Sequence, residues 1–240
     1  MTVQRAAHHS GLRPFRCPKT SRLTEKHKQS RLQFAKANSK KDWSLVVFSD
    51  EHKFQQYKGG NPTHDQVWAK SKSEVPGKEV ERWGLAMDVW AGISSQGKTE
   101  LFFYEGSLSA QGYQHILKQA LRPMAQVWFE NGKNGWELQQ DKATAHTAKS
   151  TRDFLKLNGI AVVEDWPTKG DDINPMENLW AILDERLEKK RFNTRKSMKK
   201  AICEIWVGVD KPLLNNLIAS VPDRLRRIVK AKGGSIKSVH

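Results

Sequence analysis

The sequence predicts an α/β fold: a mixed sheet flanked by helices, with a short helical N-terminal lead and a helical C-terminal extension. Three features carry that expectation. Short β-branched and aromatic runs alternate with helical periodicity in the order β-β-β-α-β-α-β-α. Clusters of Gly, Pro, Ser and Asn fall between the runs. The apolar content, 38% of residues with nine Trp and nine Phe, suffices for one sizeable core. No apolar run approaches the roughly 18 residues that a membrane span needs.

The lead occupies residues 1–42. Two Pro-marked turns precede a helical pattern from Leu23 through Leu32 to Phe34 and Ala35, which Thr24 is placed to cap. From Trp43, "WSLVVFSDEHKF" is a strand of buried type, with Asp50 ending it where the run turns polar. "ERWGLAMDVWAGISS" and "KTELFFYEG" continue as strands around the turn "SSQGK", so three antiparallel strands in a row are expected. The mixed polar stretch between Tyr57 and Glu81 reads as a long loop, which in a compact domain is usually functional or mobile.

Ser109 opens a helix through "SAQGYQHILKQALRPMAQVWF", which Pro123 should kink or end, and "NGKNG" then breaks the chain. "WELQQDKATAH" reads as a strand ending at Asp141, "TAKSTRDFLKLNG" as a helix closed by Gly159, and "IAVVEDW" as another strand. Helices with charged outer faces fill 175–191 and most of 195–232, interrupted near Pro212 and Pro222. The expected division is a basic lead (1–42), an α/β domain (43–192) and basic C-terminal helices (193–240).

Charge is unevenly spread. The net value is +9 over residues 1–42, −3 over 43–177 and +9 over 178–240. Basic ends around a slightly acidic middle suit a polyanion gripped by the flanks. Cys17 and Cys203 are too few for a disulfide framework, which fits a reducing intracellular compartment. His8 and His9 with Cys17 lack the second ligand pair of a zinc site.

Carboxylates gather where the strands end. Asp50 and Asp141 sit at the ends of strands that can be neighbours, and Glu177 sits in the first turn of the helix begun by Asn174 and Pro175. Three converging acids would repel one another without cations, and hard oxygen ligands suit Mg²⁺ or Mn²⁺. The motif also fits a second reading, in which Asn174 is an N-cap, Pro175 fills N1 and Glu177 closes a capping box. Asp171 and Asp172 read as loop charges that suit the helix dipole. Met176, Trp180, Leu183 and Leu187 form a core-facing stripe beside Glu177.

"VVFSDEHKF", "LQQDKATAHTAK" and "WPTKGDDINPMENLW", in this order and at these separations, resemble the catalytic domain of the mariner superfamily of DNA transposases. The likeness covers roughly residues 43–190. It implies a ribonuclease-H-like sheet with Asp50, Asp141 and Glu177 as the catalytic and metal-binding triad. It also implies two Mg²⁺ or Mn²⁺ ions, and cleavage and strand transfer on double-stranded DNA (transposon ends and target) by a homodimer in the nucleus. No membrane partner is expected.

The pattern departs from the family in three places. Thirty-five residues separate Asp141 from Glu177, one more than the commonest family spacing. Gly170-Asp171 stands where many relatives have Ser-Pro. Only about forty residues precede Trp43, where relatives have two helix-turn-helix units, so residues 11–35 resemble the tail of the second unit and its connector. A truncated DNA-binding lead is the expectation. His146 matches a frequent family histidine, for which a structural hydrogen bond is expected.

The flanks supply candidate phosphate contacts: Arg186, Lys189, Lys190, Arg191, Arg195, Lys196, Lys199 and Lys200, then Arg224, Arg226 and Arg227. Arg22, Lys26, Lys28 and Arg31 form a weaker set. A charge run of this kind also fits a merely solvated helix face. The retained acids favour an enzyme, whereas the short lead favours a catalytically idle, transposon-derived DNA-binding protein. A ribonuclease-H-like nuclease without transposition is a third reading.

Overall fold

A computed structural model describes residues 23–56, 84–130 and 135–236. The expected long loop, the break at "NGKNG", the His8, His9 and Cys17 group, and Arg22 lie wholly or mostly outside the described residues.

Six strands form one mixed sheet. β1 (Val46–Gln55) pairs antiparallel with β2 (Ala86–Ser94), which also pairs antiparallel with β3 (Gly97–Lys98) and β4 (Phe102–Tyr104). On its other edge β1 pairs in parallel with β5 (Glu137–Gln139), and β5 with β6 (Ala161–Val162). An antiparallel meander on one side of β1 and two parallel strands on the other give the ribonuclease-H-like arrangement.

Among the described residues the α-helices are α1 (Glu25–Ala37), α2 (Ala110–Ile116), α3 (Arg122–Trp128), α4 (Thr144–Thr147), α5 (Lys149–Leu157), α6 (Pro175–Glu188), α7 (Arg195–Val207), α8 (Lys211–Ala219) and α9 (Val221–Lys230). Local chemistry sets many of their starts. Thr24, Ser109, Asn174, Thr194 and Asp210 each cap a helix by accepting a backbone N–H on the side chain. Pro175, Pro212 and Pro222 fall at first-turn positions where a missing N–H does no harm.

Several element expectations need correction. Asp50 does not end β1 but lies in its middle, because β2 accompanies β1 for seven further residues, Ser49 to Gln55, after β5 has left. "KTELFFYEG" is split into β3 and β4. Pro123 does not end its helix. A π-helical segment (Leu117–Leu121) absorbs the missing donor, and helical backbone continues to Trp128. The helix closed by Gly159 is broken at Ala148, whose ψ of 143° is extended. The strand expected from "IAVVEDW" is two residues long.

Two cores sandwich the sheet. On one face, α1, α6, α7, α8 and α9 cover Val46, Phe48, Phe54, Val89, Ala91 and Ile93. On the other, α2, the π segment, α3 and α5 cover Val47, Trp90 and Leu138. The lead helix and the C-terminal helices thus share one core with the sheet. Met176, Trp180, Leu183 and Leu187 are all buried in that core, as their spacing predicts. Each such side chain stabilises by roughly 1.5–3 kcal/mol relative to exposure, so α6 is held firmly against β1.

Candidate active site

β1 organises the site. Side chains alternate between the faces of a strand, so Asp50, His52 and Phe54 face α6, whereas Val47, Ser49 and Glu51 face α2. β5 stops pairing at Gln139, opposite Phe48. Asp50 therefore emerges where one neighbouring strand has ended, and such carboxyl ends of parallel strands are where α/β sheets leave a crevice.

Hydrogen bonds lock the three acidic segments together. Ser49 Oγ donates to the Gln139 carbonyl at 2.8 Å, and Asn174 Nδ2 donates to the Ser49 carbonyl at 3.3 Å. The backbone beside Asp50 is thereby tied both to the strand leading to Asp141 and to the cap of the helix bearing Glu177.

Asp50 is held by two donors: the Glu51 amide to Oδ1 at 3.0 Å and the Trp180 indole to Oδ2 at 3.2 Å. Its pKa lies well above the ordinary carboxylate value. Burial is the main cause, followed by repulsion from Glu177, Glu51 and, after a lowering contribution from the Glu51 amide, Asp141. Glu177 is likewise raised, by burial and by Asp171, with His52 acting in the opposite direction. The structure brings Asp50, Asp141 and Glu177 within electrostatic reach.

The two readings of the α6 start separate cleanly. Asn174 is the cap, its side chain accepting the Met176 amide at 3.1 Å. A capping box would need the Asn174 amide to meet Glu177, but that amide bonds the Gly170 and Asp171 carbonyls instead, at 3.2 and 3.1 Å. The Glu177 carboxylate is left for another use.

Asp141 lies two residues beyond β5, with 56% of its side chain exposed. Its Oδ1 accepts from the Ala143 amide at 2.8 Å and from His146 Nδ1 at 2.7 Å. Burial alone would raise its pKa, but the His146 and Ala143 hydrogen bonds and the charge of His146 together bring it below the ordinary value. His146 is buried, with Nε2 3.3 Å from Glu51 Oε1. Desolvation opposes its charge, yet hydrogen bonds with Asp141 and Glu51 and the charges of both acids raise its pKa to about 9. Glu51, Asp141 and His146 also place potential ligand atoms within 4.8 Å of one another.

Sequence reasoning missed Trp180 as a donor, Glu51 as a neighbour, and His52, which stacks on Trp180 at 5.1 Å and meets Asp184 Oδ2 at 3.0 Å. Strand alternation and helical spacing did carry a signal: His52 shares the face of Asp50, and Trp180 stands three residues after Glu177.

The basic candidates divide by burial. Arg186, Lys189, Lys190, Arg191, Arg195, Lys196, Lys199, Lys200 and Arg226 are exposed, and Arg227 is half-buried. Some already have partners, including Arg195 with Glu105 at 3.1 Å and Lys199 over the Phe103 ring at 4.6 Å. Arg224 must be withdrawn as a phosphate contact. It is 2% exposed, donating to Ser220 Oγ at 2.9 Å and to the Asp172 carbonyl at 3.3 Å.

Arg31 must be withdrawn as well, and Asp172 is no solvated loop charge. Arg31 is 1% exposed and grips Asp172 with two parallel bonds of 2.7 and 2.8 Å. It also donates to the carbonyls of Lys169, Gly233 and Gly234. Gly233 has φ +84°, and a Cβ there would lie 2.0 Å from the Lys28 carbonyl oxygen, so only glycine brings the C-terminal tail this close to α1.

Residues 45–199, which include all three acids, match the family model described as DDE superfamily endonuclease. The chain belongs to the DDE superfamily of endonucleases. It is similar to the Tc3 transposase of Caenorhabditis elegans, 34% identical over 218 residues that make up 89% of this chain and 64% of the relative. It is also 25% identical to the Tc1 transposase of the same organism, over 98% of this chain and 87% of the relative. This DDE chain thus spans less than two thirds of the Tc3 protein. Among solved structures, the Mos1 mariner paired end complex with Mn superposes with a TM-score of 0.81 at 19% identity, covering 98% of this chain and 71% of that one. The Mos1 catalytic domain superposes with a TM-score of 0.73 at 18% identity, covering 92% of this chain and all of that one. At these identities the likeness shows the fold, which is ribonuclease-H-like.

Proposed function

We propose that this chain is the catalytic part of a Tc1/mariner-type DNA transposase, cutting and joining DNA phosphodiesters at Asp50, Asp141 and Glu177. The observation that carries the reading is uncompensated acidity. Asp50 and Glu177 are both pushed toward the protonated form by burial and by neighbouring carboxylates, and both lack a cationic side chain bonded to them among the described residues.

That donor set fits hard divalent cations. Carboxylate oxygens are the ligands Mg²⁺ and Mn²⁺ prefer, and a dication would offset the desolvation and repulsion that raise the pKa values of Asp50 and Glu177. Asp50, Asp141 and Glu177 would hold such ions, which would supply a lowered pKa for an attacking water or 3′-hydroxyl and charge stabilisation for the leaving oxygen of an in-line displacement. The chain's own part is to fix the ligands. β1 and the Trp180 indole orient Asp50, the Ala143 amide and His146 orient Asp141, and the packed α6 stripe presents Glu177. Because the acids act only as ligands, the reaction needs no covalent intermediate with the protein.

The substrate is double-stranded DNA, gripped through phosphates by the exposed lysines and arginines of 186–200 and by Arg226 and Arg227. Two copies on paired ends are the proposed working unit, a reading supported by the paired-end form in which Mos1 is known. No described helix is long and apolar enough to cross a membrane.

Nicking of supercoiled plasmid tests the reading without knowledge of a terminal repeat. Wild-type chain with Mg²⁺ or Mn²⁺ is expected to relax the plasmid. Asp141→Asn, or EDTA, is expected to reduce the rate at least 100-fold. Metal-independent nicking, or full activity in Asp141→Asn, would remove the triad from the chemistry. Salt-sensitive DNA binding without any nicking would point to the idle DNA-binding protein instead.

A further inference from the structure

We propose that His146 is a positioning residue that fixes which oxygen of Asp141 faces the metal site. The inference rests on the assignment of Asp141 as a ligand. Its motive is an asymmetry between the two aspartates. Asp50 sits inside a ten-residue strand with its backbone paired to β2. Asp141 sits in irregular chain between β5 and α4, more than half exposed, where sheet pairing no longer restrains it.

Two donors supply the missing restraint, and both act on one atom. The Ala143 amide and His146 Nδ1 converge on Oδ1, at 2.8 and 2.7 Å. Among the described residues no bond engages Oδ2. A carboxylate so held cannot rotate freely about its Cβ–Cγ bond without losing both bonds, so Oδ2 is kept outward for a cation. This is the usual outer-sphere device of metal sites, in which a hydrogen-bonded partner orients the ligand.

The imidazole is itself immobilised. His146 is 3% exposed, its ring lies 4.0 Å from that of Tyr113, and the Tyr113 hydroxyl donates to Gln140 Oε1 at 2.7 Å. The chain from Tyr113 therefore touches both residues that bracket the motif, Gln140 directly and Asp141 through His146. An ionised carboxylate only accepts, so the 2.7 Å contact places a proton on Nδ1 and makes that nitrogen the donor that holds Oδ1.

Two isosteric substitutions separate the nitrogens. His146→Asn keeps a donor near the position of Nδ1, facing Asp141, whereas His146→Gln keeps one near Nε2, facing Glu51. Calorimetric titration of the full chain with Mn²⁺ reads the site directly, with melting temperature in EDTA as the control for folding. His146→Asn is expected to bind Mn²⁺ within about threefold of wild type, and His146→Gln about tenfold or more weakly, with similar melting temperatures in EDTA. Plasmid nicking should follow the same order in its Mn²⁺ dependence.

Wild-type Mn²⁺ affinity in His146→Gln, while Asp141→Asn loses Mn²⁺, would overturn the role of His146 alone. Unchanged Mn²⁺ binding in Asp141→Asn would remove the assignment on which the inference rests, and the inference with it. Equal loss of Mn²⁺ and of melting temperature in both histidine variants would make His146 a packing residue only.

Discussion

Two acidic regions lie five residues apart in this chain and are built on opposite principles. Asp172 is saturated: the Arg31 guanidinium meets both its oxygens, the Ile236 amide donates to Oδ2 at 3.0 Å, and Ser235 Oγ stands 3.5 Å away. All five N–H donors of Arg31 are taken, two by Asp172 and three by carbonyls. Asp50 and Glu177 are the reverse: Asp50 is half-buried and Glu177 exposed, no cationic side chain is bonded to either among the described residues, and both are raised in pKa. Charge is compensated where it ties the lead, the motif loop and the C-terminal tail together, and left uncompensated where cations are proposed to bind. Chemically identical side chains thus serve as a joint in one place and, in the proposed function, as a ligand set in the other.

The largest expected effect comes from opening the joint. Arg31→Ala leaves Asp172 buried without its cation, and breaking a buried pair by removing one partner typically destabilises by about 3–5 kcal/mol. Urea unfolding should show that loss, whereas the double replacement Arg31→Met with Asp172→Leu should recover much of it. A loss below about 1 kcal/mol would mean that the pair is a surface contact in solution, and the contrast with the acidic site would disappear.

The opposite sign is expected at the ligand set. Asp50→Asn removes a half-buried carboxylate whose charge its neighbours repel, so the metal-free protein should melt higher, by about 2–4 °C for each kcal/mol gained in a chain of this size. Linkage gives the pH dependence. The folded-state pKa of Asp50 is raised, so its contribution is fully present below the unfolded carboxylate pKa and is lost as pH rises through the folded value. In EDTA, the wild type should therefore lose stability on going from acid toward neutral pH more steeply than Asp50→Asn. The difference between the two proteins isolates Asp50 from Asp141, whose lowered pKa has the opposite slope. Mg²⁺ or Mn²⁺ should raise the wild-type melting temperature and leave that of Asp50→Asn nearly unchanged. A lower melting temperature for metal-free Asp50→Asn would show that Asp50 is held by structure and not against it.

What the sequence could and could not disclose follows the same division. The proposed triad at 50, 141 and 177 rests on motifs that are local strings, and the caps Thr24, Ser109 and Asn174 were readable because a cap is settled within three residues. The α6 stripe was readable because 3.6-residue periodicity is local too. Asp172 was not, since its partner Arg31 lies 141 residues earlier and looks like one more cation in a basic lead. Arg224 was misread for the same reason. Its run has high positive charge and strong amphipathicity, but which of its arginines turns inward is decided by the docking of α9 on α1. Short strands such as β6 owe their existence to a neighbour's edge, so propensity alone overextended them. His146 fell between the two cases: the residue was visible, but its bond to Asp141 depends on the chain turning back within five residues.

The smallest expected effect separates inward from outward cations. Lys196 is exposed on the first turn of α7 and makes no ion pair among the described residues, so Lys196→Ala should alter stability by no more than about 0.5 kcal/mol. If it contacts a phosphate, the dependence of log binding constant on log salt should flatten by about one unit for duplex DNA of any sequence. Fluorescence anisotropy across a salt series measures that slope. Arg224→Ala should do the converse, lowering stability by leaving the Asp172 carbonyl and Ser220 Oγ without their donor, while the salt slope of the protein that remains folded is unchanged. An unaltered slope in Lys196→Ala together with a flattened one in Arg224→Ala would mean that burial does not separate the two kinds of cation here, because the C-terminal helices would have to rearrange on DNA to release Arg224.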